Sequence, residues 1–232
     1  MRKIITKTLL FLIFSGSLFS CAFAPVNNQY EKAGTLKKGG VELSGNYSHY
    51  TFSGGGETAG ANNNYGFRFG YGISDKFDLK LRYEHLAPTG VFEFDDIDGG
   101  ANIKGINYFS LVPKFSLVRN KLSFLLPVSY YSYKETSDSG SDNIGLGSVA
   151  PQILYTATNK TNRADVTFGL KADCLLGSGG GAVLWGLTVG GGFSTDLDKW
   201  AIRPEIGAST IGGGAFLSFG VGFQLMIPKN KK

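Results

Sequence analysis

The sequence predicts an all-β protein, an antiparallel up-and-down transmembrane β-barrel of about ten strands (eight to twelve). Three observations predict this fold. Apolar and polar residues alternate with a period of two along many segments, glycine and aromatic residues are abundant, and no helical stripe follows the N-terminal segment. The 232 residues include 34 glycines, and charged residues make up 18% against a usual share of about 25%. Without helices, a sheet is covered by another sheet, by closure or by lipid.

The first element is predicted to be a signal peptide at residues 1–20. Arg2, Lys3 and Lys7 are basic, and Leu9 to Phe14 form an apolar run followed by small residues. This run is too short to cross a bilayer as a helix, which takes about 20 residues. We therefore expect the chain to be exported.

Cys21 is the expected lipidation site. The stretch "LFSC" that ends at this residue resembles the bacterial lipobox, in which the cysteine becomes the lipidated first residue. The alternative is ordinary cleavage after Ala22-Phe23-Ala24, but Pro25 would then follow the cut and obstruct the peptidase. An accidental cysteine is the third possibility. In the favoured case, residues 21–40 form a periplasmic tether to the barrel.

The charge balance and the cysteines exclude several classes of protein. Removal of residues 1–20 takes away three basic residues and no acidic ones, so the formal net charge falls from +5 to +2. This near-balance argues against a nucleic-acid partner, which requires a concentrated basic face. If Cys21 carries lipid, Cys174 stands alone, and no disulfide framework is expected.

The barrel is predicted over residues 41–228, followed by a basic tail at 229–232. Its clearest hairpin is "NYGFRFGYGISDKFDLKLRYEHL", in which alternate residues are apolar on both sides of the turn at Asp75-Lys76. The same alternation recurs along the chain. The predicted strands are 41–52, 64–74, 77–87, 105–118, 121–134, 145–158, 164–177, 182–195, 199–211 and 214–227.

The connections between these strands favour an outer-membrane barrel. Short turns follow the even-numbered strands, whereas longer links are expected at 53–63, 88–104 and 135–144. An even strand number with short turns on one side and long loops on the other is typical of such barrels, and it places both termini in the periplasm. A secreted β-sandwich is the main alternative.

Charged residues on the polar parity of the strands are predicted to form a network inside the barrel. The predicted network is Arg68, Lys80, Arg82, Glu84, Lys171, Asp173, Arg203 and Glu205. Paired charges and glycines suit a narrow closed interior. Two interpretations stay open: a salt-bridged network that fills the lumen, or a polar constriction in which Arg68, Arg82 and Arg203 select ions.

Prolines conflict with this strand assignment. Pro113, Pro127, Pro151 and Pro204 all fall inside predicted strands, where a proline removes a ladder hydrogen bond. In lipid, this leaves a carbonyl group unpaired, so bulges are expected near these residues.

The signal with "LFSC", the hairpin "YGISDKFDLKLRYE" and "STDLDKWAIRPEIG" resemble the small outer-membrane β-barrel proteins and lipoproteins of Gram-negative bacteria, especially of the Bacteroidota type. The resemblance covers nearly the whole mature chain. It implies architecture and a location in the outer membrane. No functional residues carry over.

No catalytic residue, metal site or cofactor is expected. The two histidines, His49 and His85, do not form a zinc motif. The acidic loop at 92–100 lacks the calcium-loop register, and the glycine clusters lack the setting of a phosphate loop. Outer-membrane lipid is the expected partner, and a surface ligand or protein partner stays unidentified. We expect a non-enzymatic structural or surface-interaction barrel, with a narrow solute channel and then a lipid hydrolase as alternatives.

Overall fold

The strands close into one barrel. The computed structural model describes residues 24–54, 57–89, 102–137, 140–177, 180–211 and 214–228. The strands are β1 (Val41–Gly54), β2 (Glu57–Ser74), β3 (Phe77–Pro88), β4 (Asn102–Val118), β5 (Leu122–Leu125), β6 (Val128–Ser137), β7 (Gly140–Val149), β8 (Gln152–Thr158), β9 (Ala164–Gly177), β10 (Gly180–Phe193), β11 (Trp200–Ile211) and β12 (Gly214–Ile227). No helix in this part of the chain is long and apolar enough to cross a membrane.

The barrel is antiparallel, and it closes where β12 pairs with β1. Both β5 and β6 pair with β4, and both β7 and β8 pair with β9, so each couple is one strand with an interruption. The ring therefore has ten strands, which confirms the predicted fold class and strand number.

The prolines explain the two interruptions. Pro127 lies between β5 and β6, and Pro151 lies between β7 and β8. The carbonyl oxygens of Pro113, Pro127 and Pro151 each accept a backbone N–H from the next strand, at 2.9 to 3.0 Å. Short breaks thus accommodate Pro127 and Pro151, and the ladder continues through the proline carbonyls. Near Pro113, the register of β4 shifts between Ser116 and Val118, as expected of a bulge. Pro204 stays inside β11, opposite Val221.

The outer face follows the predicted alternation. Leu81 is 58% exposed and Phe219 62%, and their neighbours on the same parity are also exposed apolar residues. Polar residues of the opposite parity are buried inside the barrel. This arrangement is the reverse of a soluble barrel, in which the apolar parity faces inward.

The connections at the two ends of the barrel differ in length, although less than expected. We call the end with the turns at 75–76, 119–121, 159–163 and 194–199 the turn end, and the opposite end the loop end. The prediction of long links at 53–63 and 135–144 is wrong, because the strands continue and leave only residues 55–56 and 138–139 between them. The strands of these two hairpins pair through their backbones, although their residues show no alternating apolar pattern. The acidic loop at 92–100 lies outside the described residues.

The segment before β1 lies inside the barrel. Residues 24–31 are all buried, and the chain reaches the surface at Lys37 and Lys38, just before β1 begins. The expectation of an external tether at 21–40 is therefore wrong for these buried residues. No local pattern of residues indicates this burial, because side chains from distant strands provide the hydrogen bonds of the segment. Cys21, the signal and the tail at 229–232 lie outside the described residues.

Candidate functional site: the plugged lumen

The segment at residues 24–34, which we call the plug, runs along the lumen from the loop end to the turn end. At the loop end, the Ala24 N–H donates to Asn62 Oδ1 at 3.0 Å. Just beyond the plug, the Leu36 N–H donates to the carboxylate of Asp78 at 2.9 and 3.0 Å. Asp78 is the second residue of β3, close to the turn end. The plug therefore occupies the lumen over most of its length.

Side chains of the wall bind the main chain of the plug. Glu205 accepts the N–H of Gln29 at 2.7 Å and that of Tyr30 at 2.8 Å. Arg68 donates to the carbonyl oxygen of Gln29 at 2.6 Å, and Arg82 donates to the carbonyl oxygen of Asn28 at 2.7 Å. An extended segment without a strand partner leaves its backbone groups unpaired, and here charged side chains replace the missing ladder.

Further contacts continue this arrangement toward both ends. The hydroxyl of Tyr50 accepts the Asn27 N–H at 2.9 Å, and Lys171 donates to the carbonyl oxygen of Val26. Toward the turn end, the Ala33 N–H donates to Thr156 Oγ1 at 2.7 Å. Residues from both sides of the barrel thus hold one extended chain.

A charged layer surrounds Glu31, the acidic residue of the plug. Its carboxylate lies 2.6 Å from Lys80 Nζ, 2.9 Å from Lys114 Nζ and 3.4 Å from Arg68 Nη1. Glu42 of the wall bridges two of the same cations, at 3.0 Å from Arg68 and 2.9 Å from Lys80. Three buried cations therefore share two carboxylates, and the plug provides one of the two.

All eight residues predicted for the interior network are buried and belong to the inner face. Arg68 and Arg82 lie directly opposite each other on β2 and β3, as the turn between them predicts. Arg82 Nε donates to Glu84 at 2.9 Å. Glu205 instead binds the main chain of the plug.

Sequence reasoning missed several members of the network. Arg203 makes two contacts with Asp165, at 3.0 and 2.9 Å. Asp165, Glu42 and Lys114 share the inner parity of their strands, so strict alternation was a signal for all three. Nothing in the sequence near Glu31 indicated that it would join them.

An apolar layer closes the lumen near the loop end. Val26 of the plug packs in a buried cluster with Leu86, Ile106, Tyr131 and Leu184. Ala24 belongs to a second apolar cluster beside this one. Because apolar side chains disfavour contact with water, this layer makes the lumen apolar where the plug begins.

Wall glycines make room for two plug side chains. A Cβ at Gly220 or Gly222 would overlap Tyr30, and one at Gly186 or Gly207 would overlap the amide of Asn27. The backbone of Tyr30 has a φ of 54°, in the left-handed region that non-glycine residues rarely adopt. These glycines are therefore a cradle shaped to this plug.

A cavity of about 320 Å³ lies at the turn end of the plug. Charged residues of the plug and of the turns line it, among them Lys32, Arg119 and Asp198. Lys32 and Asp198 form an ion pair at 3.0 Å, and Lys32 also donates to the carbonyl oxygen of Leu197 at 2.9 Å. This pair fastens the plug to the turn that precedes β11.

The two histidines lie on the outer face near the loop end and repeat one arrangement. His49 Nδ1 lies 2.8 Å from Asn63 Oδ1, and His85 Nδ1 lies 3.2 Å from Asn107 Oδ1. The same asparagine oxygens accept hydrogen bonds from the hydroxyl groups of Tyr47 and Tyr83, at 3.0 and 2.9 Å. Each histidine thus belongs to a polar rim. Neither contact resembles the serine–histidine pair of a hydrolase.

No family model and no curated sequence matches the chain. The translocator domain of the autotransporter NalP from Neisseria meningitidis superimposes with a TM-score of 0.51 at 9% identity, over 82% of this chain and 90% of that one. The fold is that of an outer-membrane β-barrel.

Two further solved structures are similar at lower scores. An outer-membrane channel from Pseudomonas putida F1 gives a TM-score of 0.48 at 11% identity, over 88% of this chain and 100% of that one. The attachment invasion locus protein Ail of Yersinia pestis gives 0.39 at 14%, over 82% and 99%. At such low identities the likeness extends to the fold alone.

Proposed function

We propose that the protein is a non-enzymatic outer-membrane β-barrel that its own N-terminal segment closes, with a structural or surface-interaction role. The observation that carries this proposal is the plug itself. It fills the lumen, it is held by buried charges of the wall, and an apolar layer seals it at one end. A barrel closed in this way anchors a segment of chain in the membrane and does not serve as an open porin.

The outer face supports insertion into a membrane. Aromatic residues mark both ends of the outer face. At the loop end, the tilted rings of Tyr83 and Phe109 have centroids 5.0 Å apart, and at the turn end Phe77 stacks on Phe115 at 4.7 Å. His85 of the polar rim follows Phe77 by eight residues, which corresponds to roughly 20 Å across a membrane at a strand tilt of about 40°. The aromatic girdles of outer-membrane barrels flank an apolar band of about 25 Å.

The arrangement of connections supports an orientation. Short turns of outer-membrane barrels face the periplasm, and the longest link of this chain, between Pro88 and Asn102, lies at the opposite end. We therefore propose that the turn end faces the periplasm. The C-terminal strand ends there, in agreement with the predicted location of the C-terminus.

Planar-bilayer recordings test the closed state. The purified full chain is expected to show no stable conductance of porin size. A variant that lacks residues 24–34 is expected to conduct, provided that it still shows the heat-modifiable gel migration of a folded barrel. Stable porin-size conductance by the full chain would refute the proposal.

A second candidate function is a narrow path for water or small ions beside the plug. Within the described part of the chain, the side-chain amide of Gln152, Oδ1 of Asp173 and the hydroxyl of Ser148 are buried without a hydrogen-bond partner. Buried polar groups usually bind water when the protein offers no partner. Small, steady ion currents through the intact protein, abolished by Gln152→Leu, would favour this alternative.

A further inference from the structure

We infer that exposed basic side chains around the turn end bind the phosphate groups of anionic phospholipids. These side chains, which we call the basic ring, are Lys37, Lys38, Lys76, Arg119, Lys121, Lys160, Arg163 and Lys199. Under the proposed insertion and orientation, on which this inference rests, the ring lies at the periplasmic leaflet. The lipid that it recognises carries a phosphate and a net negative headgroup charge.

The basic ring has an excess of positive charge. The turns and the segment that hold its eight cations contain three acidic residues, Asp75, Asp196 and Asp198, which leaves an excess of five positive charges. Asp196 pairs with Lys199 at 3.3 Å, and Asp198 pairs with Lys32 of the plug. Within the described residues, the other seven cations of the ring form no salt bridge. Clustered basic side chains of this kind attract anionic lipid.

The cations are distributed around the whole circumference of the barrel. Its ten strands have five connections at the turn end, namely the turns at 75–76, 119–121, 159–163 and 194–199 and the passage of the plug into β1 beside the end of β12. Each of the five carries at least one exposed cation of the ring. A protein ligand would contact one side of the rim, whereas lipid surrounds a barrel on all sides. The distribution therefore favours lipid.

The basic ring follows directly on the apolar band of the outer face. Leu117 of β4 is exposed in this band, and Arg119 follows two residues later. Lys199 precedes Trp200, whose ring centroid lies 6.4 Å from that of Phe223. Interfacial aromatic rings mark the headgroup level, and long basic side chains extend from an apolar surface toward polar groups. The cations of the ring are therefore at the height of lipid phosphates.

The loop end differs from the turn end in its exposed charge. Among the loop-end side chains that the structure describes, Lys134 is the exposed basic one. Lipopolysaccharide is a second source of lipid phosphate, in the leaflet that faces the cell exterior. Cations concentrated at the turn end therefore match a phospholipid of the periplasmic leaflet rather than lipopolysaccharide.

Quenching of tryptophan fluorescence by brominated phospholipids tests the inference on the full chain. The sequence has two tryptophans, and they lie toward opposite ends of the barrel, Trp200 at the start of β11 and Trp185 five residues into β10. Trp185→Phe leaves Trp200 as the reporter of the ring, and Trp200→Phe leaves Trp185 as the control. Each protein is reconstituted in phosphatidylcholine mixed with either brominated phosphatidylglycerol or brominated phosphatidylcholine.

A preference for the anionic lipid is expected at Trp200 alone. At low salt its association with phosphatidylglycerol should be about fivefold stronger than with phosphatidylcholine, the effect of one basic residue at a membrane surface, whereas Trp185 should show no preference. Lys160→Gln with Arg163→Gln changes the turn whose backbone is hydrogen-bonded to the turn before β11, and it should reduce the preference at least about twofold. Lys134→Gln is the matched control and should leave it unchanged. About 0.5 M salt should weaken the preference by screening.

Equal association of the two lipids with Trp200 overturns the inference, as does the same preference at Trp185 or a preference that survives the paired substitutions. Competition identifies the lipid source. Unlabelled lipopolysaccharide that relieves the quenching at a lower phosphate concentration than unlabelled phosphatidylglycerol also overturns the inference. The proposed insertion is judged separately, because it is wrong if neither brominated lipid quenches either tryptophan of a barrel that migrates as folded on a gel.

Discussion

Two layers of the lumen hold the same plug by different physical means. Around Glu31, three cations from β2, β3 and β4 surround one carboxylate. Around Val26, nearer the loop end, the side chain of the plug packs in an apolar cluster, and only its main chain is hydrogen-bonded, to Tyr131 and Lys171. Buried ion pairs are strongly destabilising when one partner is lost, yet the intact pair adds little net stability. The charged layer therefore fixes the position of the plug, whereas the apolar layer contributes most of the free energy that keeps water out.

The largest effect is expected from Glu31→Gln. It leaves Lys80 and Arg68 with Glu42 and takes from Lys114 the carboxylate of its ion pair. An uncompensated buried charge costs roughly 3–5 kcal/mol. The measurement is chemical unfolding in detergent, followed by heat-modifiable gel migration. Asp196→Asn is the control, because it removes an ion pair from the exposed turn before β11 and is expected to change nothing measurable. A Glu31→Gln variant as stable as this control would contradict the account of the charged layer.

The fit of Tyr30 in the glycine cradle is tested by a substitution that adds one methyl group. Gly222→Ala introduces a Cβ that lies 2.6 Å from Tyr30 Cβ, and such overpacking typically costs about 1–3 kcal/mol. The matched variant Gly45→Ala adds the same group where the nearest atom is a carbonyl oxygen at 3.8 Å. Unfolding midpoints of the two variants are compared, and equal midpoints would show that Tyr30 does not fill this space.

The apolar layer is tested by Val26→Ala. The change removes two methyl-sized groups from the buried cluster, so the free energy of unfolding is expected to fall by about 1.5 kcal/mol. Small-ion current in a planar bilayer is also expected to rise, because the seal against water is weakened. A loss of stability without any rise in current would show that another part of the lumen forms the seal.

The smallest effect is expected from Arg203→Lys. The lysine keeps the charge opposite Asp165 but loses the second of the two parallel contacts, at a cost of about 1 kcal/mol. The hydrogen bonds of Arg203 go to Asp165 and Gln224 of the wall, so conductance should stay unchanged while the unfolding midpoint falls slightly. A change in conductance would mean that the pair also positions the plug.

Much of this molecule is determined by the local pattern of its sequence. Alternation with a period of two assigns each side chain to one face of a strand, as it does for Phe67 outside and Arg68 inside. For this reason the ten strands, the lipid-like outer face and all eight predicted interior charges could be read from the chain. The pattern predicts loops at 53–63 and 135–144, where the structure has polar hairpins, because backbone pairing leaves no signature in apolar residues.

The plug was decided by tertiary structure alone. Residues 24–34 have no periodic pattern, and their hydrogen bonds reach partners such as Glu205, about 175 residues away in the chain. Burial of Glu31 depends on three cations that assemble only when β2, β3 and β4 lie side by side. A sequence lists such groups separately, and closure of the barrel brings them within bonding distance. Strand pattern is a local property of the chain, whereas occupancy of the lumen depends on contacts that exist only in the folded barrel.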